Sequence, residues 1–320
     1  MAYKRESSAA MMARMDVLEQ PKAELHLHLE GSLEPETLQE LDPTLGLAEI
    51  RERYEYDDFP GFIESFKWVL AHLRTPEDYA LATRRLLARL ARQNVRYAEI
   101  TLAAGVVLWR GREFAPIYEA VHREAGDSPV QVWWILDAIR QLGPEHGREV
   151  AELAAQRVDQ GVVGFGIGGN EALGPVEWFS EVFQYARSRG LDLTIHAGET
   201  VGPESVWGAL EGGAERIGHG IRAVDDPVLV AHLRDHNIPL EICISSNLAT
   251  GAVSSLKAHP VRRLYDAGVP IVLNTDDPAM FHTTLVGEYE LAAREFGFTE
   301  EELRGLIRNS FHYAFRAASG

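Results

Sequence analysis

The sequence predicts an α/β protein, a (β/α)8 TIM barrel with a helical insertion after its first strand. Three observations carry that expectation. From Pro21 onward short β-type runs alternate with helical ones, the pattern of βα units that build a parallel sheet. Eight such runs fit in one block of roughly 250 residues, the size of a single barrel. No repeat, low-complexity tract or Pro/Gly/Ser-rich linker divides the text, so residues 21–320 read as one domain.

Taken in order, residues 1–20 carry scattered charges and no long apolar run, and read as a loosely ordered leader rather than a signal peptide. The first strand, residues 23–29, alternates Leu25, Leu27 and Leu29 with His26 and His28, so both imidazoles project from one face. Residues 32–75 then break the rhythm. This stretch is about three times an ordinary βα connection. It carries Phe59, Phe62, Phe66 and Trp68 and follows a strand's C-terminal end, where barrels place their sites. It reads as a helical lid over a pocket; the competing placement is an insertion packed on the barrel's outside. Further strands are expected at 95–101, 130–136, 162–167, 191–197, 216–218, 238–245 and 269–275. Helices are expected at 76–93, 144–160, 176–189 and 227–236, several opened by an early proline.

Among its 320 residues, 46% are hydrophobic and 25% charged, values of a soluble globular chain. A formal charge of -17 argues against nucleic acid and anionic membranes as partners and leaves small molecules. Cys243, the single cysteine, lies in an apolar run; it reads as a buried core residue, and a chain without disulfides suits a reducing cytoplasm.

The chemistry-bearing residues cluster at strand ends. His26 and His28 lie late in the first strand, His196 ends the fifth in His196-Ala197-Gly198-Glu199, His219 ends the sixth in Gly218-His219-Gly220, and Asp276-Asp277 follows the eighth. Each alone is more often structural, since a histidine can simply cap a strand and Asp-Asp-Pro can open a helix. In a barrel, however, all of them meet at the C-terminal face. The remaining histidines, at 72, 122, 146, 232, 236, 259, 282 and 312, fall in helical or loop text and read as surface or packing residues. Three neutral imidazoles and one carboxylate suit Zn²⁺ with room for a water, whose pKa the metal lowers from near 16 toward roughly 7. Glu199 is placed to pass a proton without being a ligand. His219 has two readings, taking the water's proton or holding the hydroxide in line, and the second carboxylate beside the metal-binding one orients a substrate.

In this order and spacing, His26-Leu27-His28, His196-Ala197-Gly198-Glu199, Gly218-His219-Gly220 and Thr275-Asp276-Asp277-Pro278 resemble the adenosine deaminase family of metal-dependent hydrolase barrels, over nearly the whole chain. The resemblance implies one zinc held by His26, His28, His196 and Asp276. It implies that Glu199 protonates purine N1, that His219 assists the zinc-bound water, that Asp277 contacts N7, and that Gly169 donates its backbone N–H to N3.

Two departures bear on the substrate. The family's usual His-Leu-Asp-Gly, whose aspartate meets the ribose 5′-hydroxyl, reads His28-Leu29-Glu30-Gly31, and its Asp-Leu-Ala-Gly-Asp reads Gly166-Ile167-Gly168-Gly169-Asn170. With Thr250-Gly251 also present, the combination resembles most the branch acting on adenosines modified at the 5′ side, including aminodeoxyfutalosine, an intermediate of menaquinone synthesis. Adenosine and then adenine are the next expectations. Binuclear barrel hydrolases usually bridge two metals through a fourth-strand lysine, and residues 162–169 hold none. Deaminases of nucleic acid use a Pro-Cys-x-x-Cys zinc motif, which a chain with one cysteine cannot supply. A non-catalytic nucleoside-binding barrel is the remaining alternative of a different class.

Overall fold

The computed structural model describes residues 17–318. Its eight strands are β1 (Lys22–His28), β2 (Val95–Leu102), β3 (Gln131–Ile139), β4 (Val162–Gly168), β5 (Asp192–Ala197), β6 (Arg216–His219), β7 (Leu240–Ile242) and β8 (Ile271–Leu273). They lie side by side in chain order, and every adjacent pair is parallel. A parallel bridge between Leu27 and Asp276 joins the last strand to the first. There the His28 N–H donates to the Asp276 carbonyl at 2.8 Å and the Asp276 N–H to the His26 carbonyl at 3.0 Å. The expected (β/α)8 barrel is the architecture found.

Strand positions follow the sequence pattern closely through β6, with two later corrections. The apolar run 238–245 yields only the three residues of β7, and Ile244–Ala249 turns into a helix. The cause is distant: the Glu288 carboxylate accepts from the Ile244 N–H at 2.9 Å and the Ser245 N–H at 3.3 Å, capping a helix start that no local pattern announces. Likewise β8 stops at Leu273, because the next residue, Asn274, uses its side-chain oxygen to accept from the Leu25 and His26 amides at 2.8 and 3.1 Å. Expected helix 144–160 divides into Gly143–Ala155 and a short 3₁₀ turn, and 176–189 opens with a 3₁₀ turn before Ser180–Ser188.

The insertion contains α1 (Pro35–Leu41), α2 (Leu47–Arg53) and α3 (Phe59–Leu70). Asp58 caps α3 by accepting from the Gly61 N–H at 2.8 Å, with Pro60 in its first turn. Phe59, Ile63, Phe66 and Leu70 recur at helical spacing on one face and line a cavity at the barrel's C-terminal end. Phe62 turns instead into the core against Phe281, with ring centroids 4.9 Å apart. So α3 is the part of the insertion that covers the pocket, while α1 packs on the outer helix Pro76–Arg92.

Most of the leader, residues 1–16, lies outside the described residues. Its end is tied down: Val17 is buried, and the Lys22 ammonium donates to the carbonyls of Val17 and Gln20 at 2.6 and 2.7 Å. Cys243 is buried, as expected. No helix among the described residues is long and apolar enough to cross a membrane.

Candidate active site

Alternation on β1 turns His26 and His28 to the same side of the strand. Pairing of β5 with β6 sets His196 opposite Gly218 and Ala197 opposite His219, and the β8–β1 bridge carries Asp276 to the same place. His28 Nε2 stands 3.3 Å from His196 Nε2 and 3.2 Å from Asp276 Oδ1, and His26 Nε2 stands 3.4 Å from that same oxygen. Ligands about 2.1 Å from one tetrahedral ion are separated by roughly 3.4 Å, so this spacing fits a divalent metal. His26 Nε2 is buried without a hydrogen-bond partner, as a ring nitrogen reserved for a metal would be. Donor atoms of His26, His196, His219 and Asp276 all fall within 4.8 Å of one another, and His28, Asp276 and Asp277 form a second, overlapping group.

The surroundings fix these side chains. Glu241 on β7 accepts from His26 Nδ1 at 2.7 Å and from the Thr194 hydroxyl at 2.8 Å, and its other oxygen receives the Arg216 guanidinium at 2.5 Å. Burial opposes the Glu241 charge, but Arg216 and His26 outweigh it and hold the carboxyl down at about 2. With His26 Nδ1 so engaged, Nε2 is left facing the cluster. Asp276 is likewise buried, yet the imidazoles of His26 and His28 beside it hold it well below the usual carboxylate range. The Ser246 hydroxyl donates to its other oxygen at 2.7 Å. Asp276 and His219 both adopt left-handed backbone, φ +64° and +61°, a conformation costly for side chains and concentrated at functional sites.

Around the cluster, Glu199 Oε2 lies 3.8 Å from His219 Nε2, and burial, followed by the charges of Asp276 and Glu171, pushes its carboxyl up to about 8. Asp277 is held well above its usual range by burial and by ionised Asp276. It enters the site over Gly31, where a Cβ would stand 1.7 Å from its Oδ1. The cavity, about 410 Å³, is floored by His28, His196, Glu199, His219, Asp276 and Asp277. Gly169 is on its wall, with φ +101°. Its mouth is apolar, with Trp109 and Leu173 lining it while 59% and 61% exposed. Glu30 stands behind that wall, wholly buried, with Oε1 accepting from the Ala103 N–H at 3.0 Å and burial raising it to about 7.

The profile of the family described as adenosine deaminase matches residues 21–320. The chain belongs to the adenosine deaminase family. It is 41% identical to the aminodeoxyfutalosine deaminase of Streptomyces avermitilis, covering 94% of this chain and 88% of that protein. It is 39% identical to the adenine deaminase of Rhizobium leguminosarum bv. trifolii, covering 92% and 94%. Among solved structures, an amidohydrolase from Burkhoderia ambifaria with bound Zn superposes with a TM-score of 0.88 at 27% identity, covering 98% of this chain and 90% of that one. As a member of this family the protein is a hydrolytic deaminase.

Several residues of this deaminase's site carried no signal in the sequence reading. Glu171 gathers the turn after His196: its carboxylate accepts from the amides of Gly198, Glu199 and Thr200 at 2.8, 2.9 and 2.9 Å and from the Ser205 hydroxyl at 2.7 Å. Burial opposes that charge and these donors more than offset it, so its pKa is lowered. His259, read from sequence as surface or packing, starts a directed chain. The Val261 N–H can only donate, and it donates to His259 Nδ1 at 3.1 Å. His259 Nε2 therefore carries the proton and donates to Asn247 Oδ1 at 3.2 Å, which turns the Asn247 amide nitrogen toward His219 Nδ1 at 3.1 Å. His219 Nδ1 must accept, so a neutral His219 keeps its proton on Nε2, and burial lowers its pKa to about 4.

Proposed function

We propose that this chain is a zinc-dependent enzyme that replaces the 6-amino group of a purine nucleoside by oxygen and releases ammonia. Its substrate in this proposal carries a substituent at the 5′ side of the ribose, as aminodeoxyfutalosine does, with adenosine itself the next choice. One observation supports this above all: Glu199, a carboxyl held protonated near neutral pH, faces the same cavity as His28, His196 and Asp276, with His28 Nε2 3.3 and 3.2 Å from donor atoms of the other two and His26 Nε2 3.4 Å from the same Asp276 oxygen. The zinc in the Burkhoderia ambifaria relative adds support for that metal.

His26, His28, His196 and Asp276 would hold the zinc ion, and the chemistry it would supply is a water of lowered pKa as the nucleophile. Glu199 holds the proton that N1 takes up as C6 becomes tetrahedral. His219, with Nδ1 engaged by Asn247, donates from Nε2 and holds the attacking water in line rather than taking its proton. Of the two roles open at the sequence level, the geometry favours this one. Asp277, kept protonated by burial and its neighbour's charge, donates to N7, and the Gly169 amide donates to N3. Glu30 shapes the sugar end from behind, through the Ala103 backbone.

The apolar mouth formed with Trp109, Leu142 and Leu173 supports a substrate longer than a free base, which would leave that part of the cavity unfilled. The free base adenine remains the alternative to a nucleoside because the Rhizobium relative is an adenine deaminase. A side-by-side assay of the zinc-loaded protein with aminodeoxyfutalosine, adenosine and adenine, following loss of the aminopurine absorbance, tests the choice. The expected result is a kcat/KM preference of tenfold or more for aminodeoxyfutalosine, about 1.4 kcal/mol of transition-state binding. An adenosine preference removes the 5′ substituent from the proposal, and an adenine preference removes the sugar.

A further inference from the structure

The cavity wall carries two oxygen acceptors that none of the roles above employs. Asp137 lies near the C-terminal end of β3 and Gln141 follows that strand, and both line the cavity. Asp137 Oδ1 and Gln141 Oε1 are shut off from solvent and have no hydrogen-bond partner. Burying an acceptor without a donor is unfavourable, so such groups mark either strain or a ligand.

The sequence clears space for them. A Cβ at Gly166 would stand 3.0 Å from Asp137 Oδ1, one at Gly168 2.4 Å from Asp137 Oδ2, and one at Gly169 2.3 Å from Gln141 Oε1. Three glycines at the end of β4 thus let two side chains from the β3 edge reach the cavity. Gly166 and Gly168 are among the positions at which the chain departs from the pattern Asp-Leu-Ala-Gly-Asp, and the departure that removes a carboxylate from β4 admits one from β3. Glu30 does not line the cavity, and its Oε1 is taken by the Ala103 N–H.

We propose that Asp137, with Gln141 beside it, binds the ribose hydroxyls of the substrate. The inference rests on the nucleoside reading above. In a purine nucleoside N1, N3 and N7 are acceptors, and the amino group departs, so the donors left for two unpartnered acceptors are the sugar hydroxyls. A carboxylate takes one hydroxyl of a vicinal diol on each oxygen, or both on one. Asp137 is therefore a specificity-determining residue that separates nucleosides from free bases and ribosides from their deoxy analogues.

The test combines the variant Asp137→Ala with removal of the hydroxyls from the substrate. Zinc-loaded wild type and variant are assayed on adenosine, 2′,3′-dideoxyadenosine, the same pair carrying the preferred 5′ substituent, and adenine. Wild type is expected to lose about thirtyfold or more in kcat/KM when the diol is removed, the loss typical of hydrogen bonds to a charged partner. In Asp137→Ala that discrimination is expected to fall below about threefold. Gly168→Ala, whose added methyl meets Asp137 Oδ2, is expected to weaken the same discrimination with the carboxylate still present, and zinc content and thermal melting report whether each variant is folded. Equal discrimination by wild type and a folded Asp137→Ala overturns the proposal. A wild type that turns over nucleosides with no preference for the diol also overturns it, while leaving the nucleoside reading intact. Turnover of adenine without any nucleoside overturns both.

Discussion

Glu199 and His219 face each other across 3.8 Å, and their environments push them in opposite senses: burial keeps the carboxyl protonated and the imidazole neutral. Proton donors and acceptors set apart in this way are the usual sign of divided acid and positioning roles. Replacing Glu199 by Gln keeps shape and hydrogen bonding but removes the transferable proton. Its kcat is expected to fall by about 10²–10⁴-fold, with zinc content by metal analysis unchanged; loss of zinc would instead make Glu199 part of the metal site. Asn247→Ala breaks the directed chain from Val261 through His259, so the His219 ring is free to take either tautomer. A drop of about 10–100-fold in kcat with little change in KM is expected, the range for partners that orient a working side chain. A KM change alone would assign Asn247 to substrate binding. The histidines and aspartates of the cluster were legible in the sequence because strand ends in a barrel share one face. Glu171, Glu241, Asn247 and His259 were not, since what marks them is a partner in space: Glu241 sits in an apolar run and meets His26 from 215 residues away.

At the scale of elements, the same distinction explains β7. A pattern of alternating or continuous apolar residues is read correctly where the sheet itself satisfies the backbone, as in β1 to β6, and misread where a distant carboxylate, Glu288, takes over the amides. The C-terminal helix Glu300–His312 shows a local signal that does hold. Thr299 and Glu302 form a capping box, and Arg262 binds the same glutamate at 2.8 Å. The helix then braces the strands that carry the site: Ser310 accepts from the Ala23 N–H of β1 at 3.1 Å, and Asn309 donates to the Ile271 carbonyl of β8 at 3.0 Å. Thr299→Ala is expected to lower stability by about 1 kcal/mol, measured by denaturant unfolding at pH 7. The Arg262 hydrogen bond first, and the Thr299 amide second, depress Glu302 to about 2. A depressed carboxylate stabilises the fold above its unfolded pKa and loses that contribution as pH falls toward the folded one. Glu302→Gln is therefore expected to destabilise at pH 7 and to match wild type near pH 2, and a deficit that stays constant across that range would show that charge is not what Glu302 contributes.

For the molecule as a whole, the barrel's contribution is to turn sequence separation into proximity: residues from β1, from β5 and from just beyond β8 supply donor atoms 3.2 to 3.4 Å apart. That convergence could be read from the order of strands alone, whereas which atom faces which needed the register and the bridge between Leu27 and Asp276. It also gathers charge. Without metal, burial opposes protonation of His26 and His28, but Asp276 and Glu241 raise the first to about 10, and the ionised Asp276 raises the second as well. Both rings then carry a proton at pH 7 that must leave before either can bind a cation, whereas His196 is already neutral and Asp276 already ionised. At neutral pH metal binding therefore releases protons, so affinity strengthens as pH rises through neutrality, by up to a factor of ten per pH unit for each proton displaced. Titration of the metal-free protein with zinc, in buffers of different ionisation enthalpy at one pH, counts those protons; about two per chain are expected. Over the same series, the rise in melting temperature on adding a fixed excess of zinc should grow from pH 6 to pH 8, because tighter binding to the native state alone adds stability. Zinc binding with no proton release and no pH dependence would mean that the metal bypasses His26 and His28, and the site would have to be redrawn around His196, His219 and Asp276.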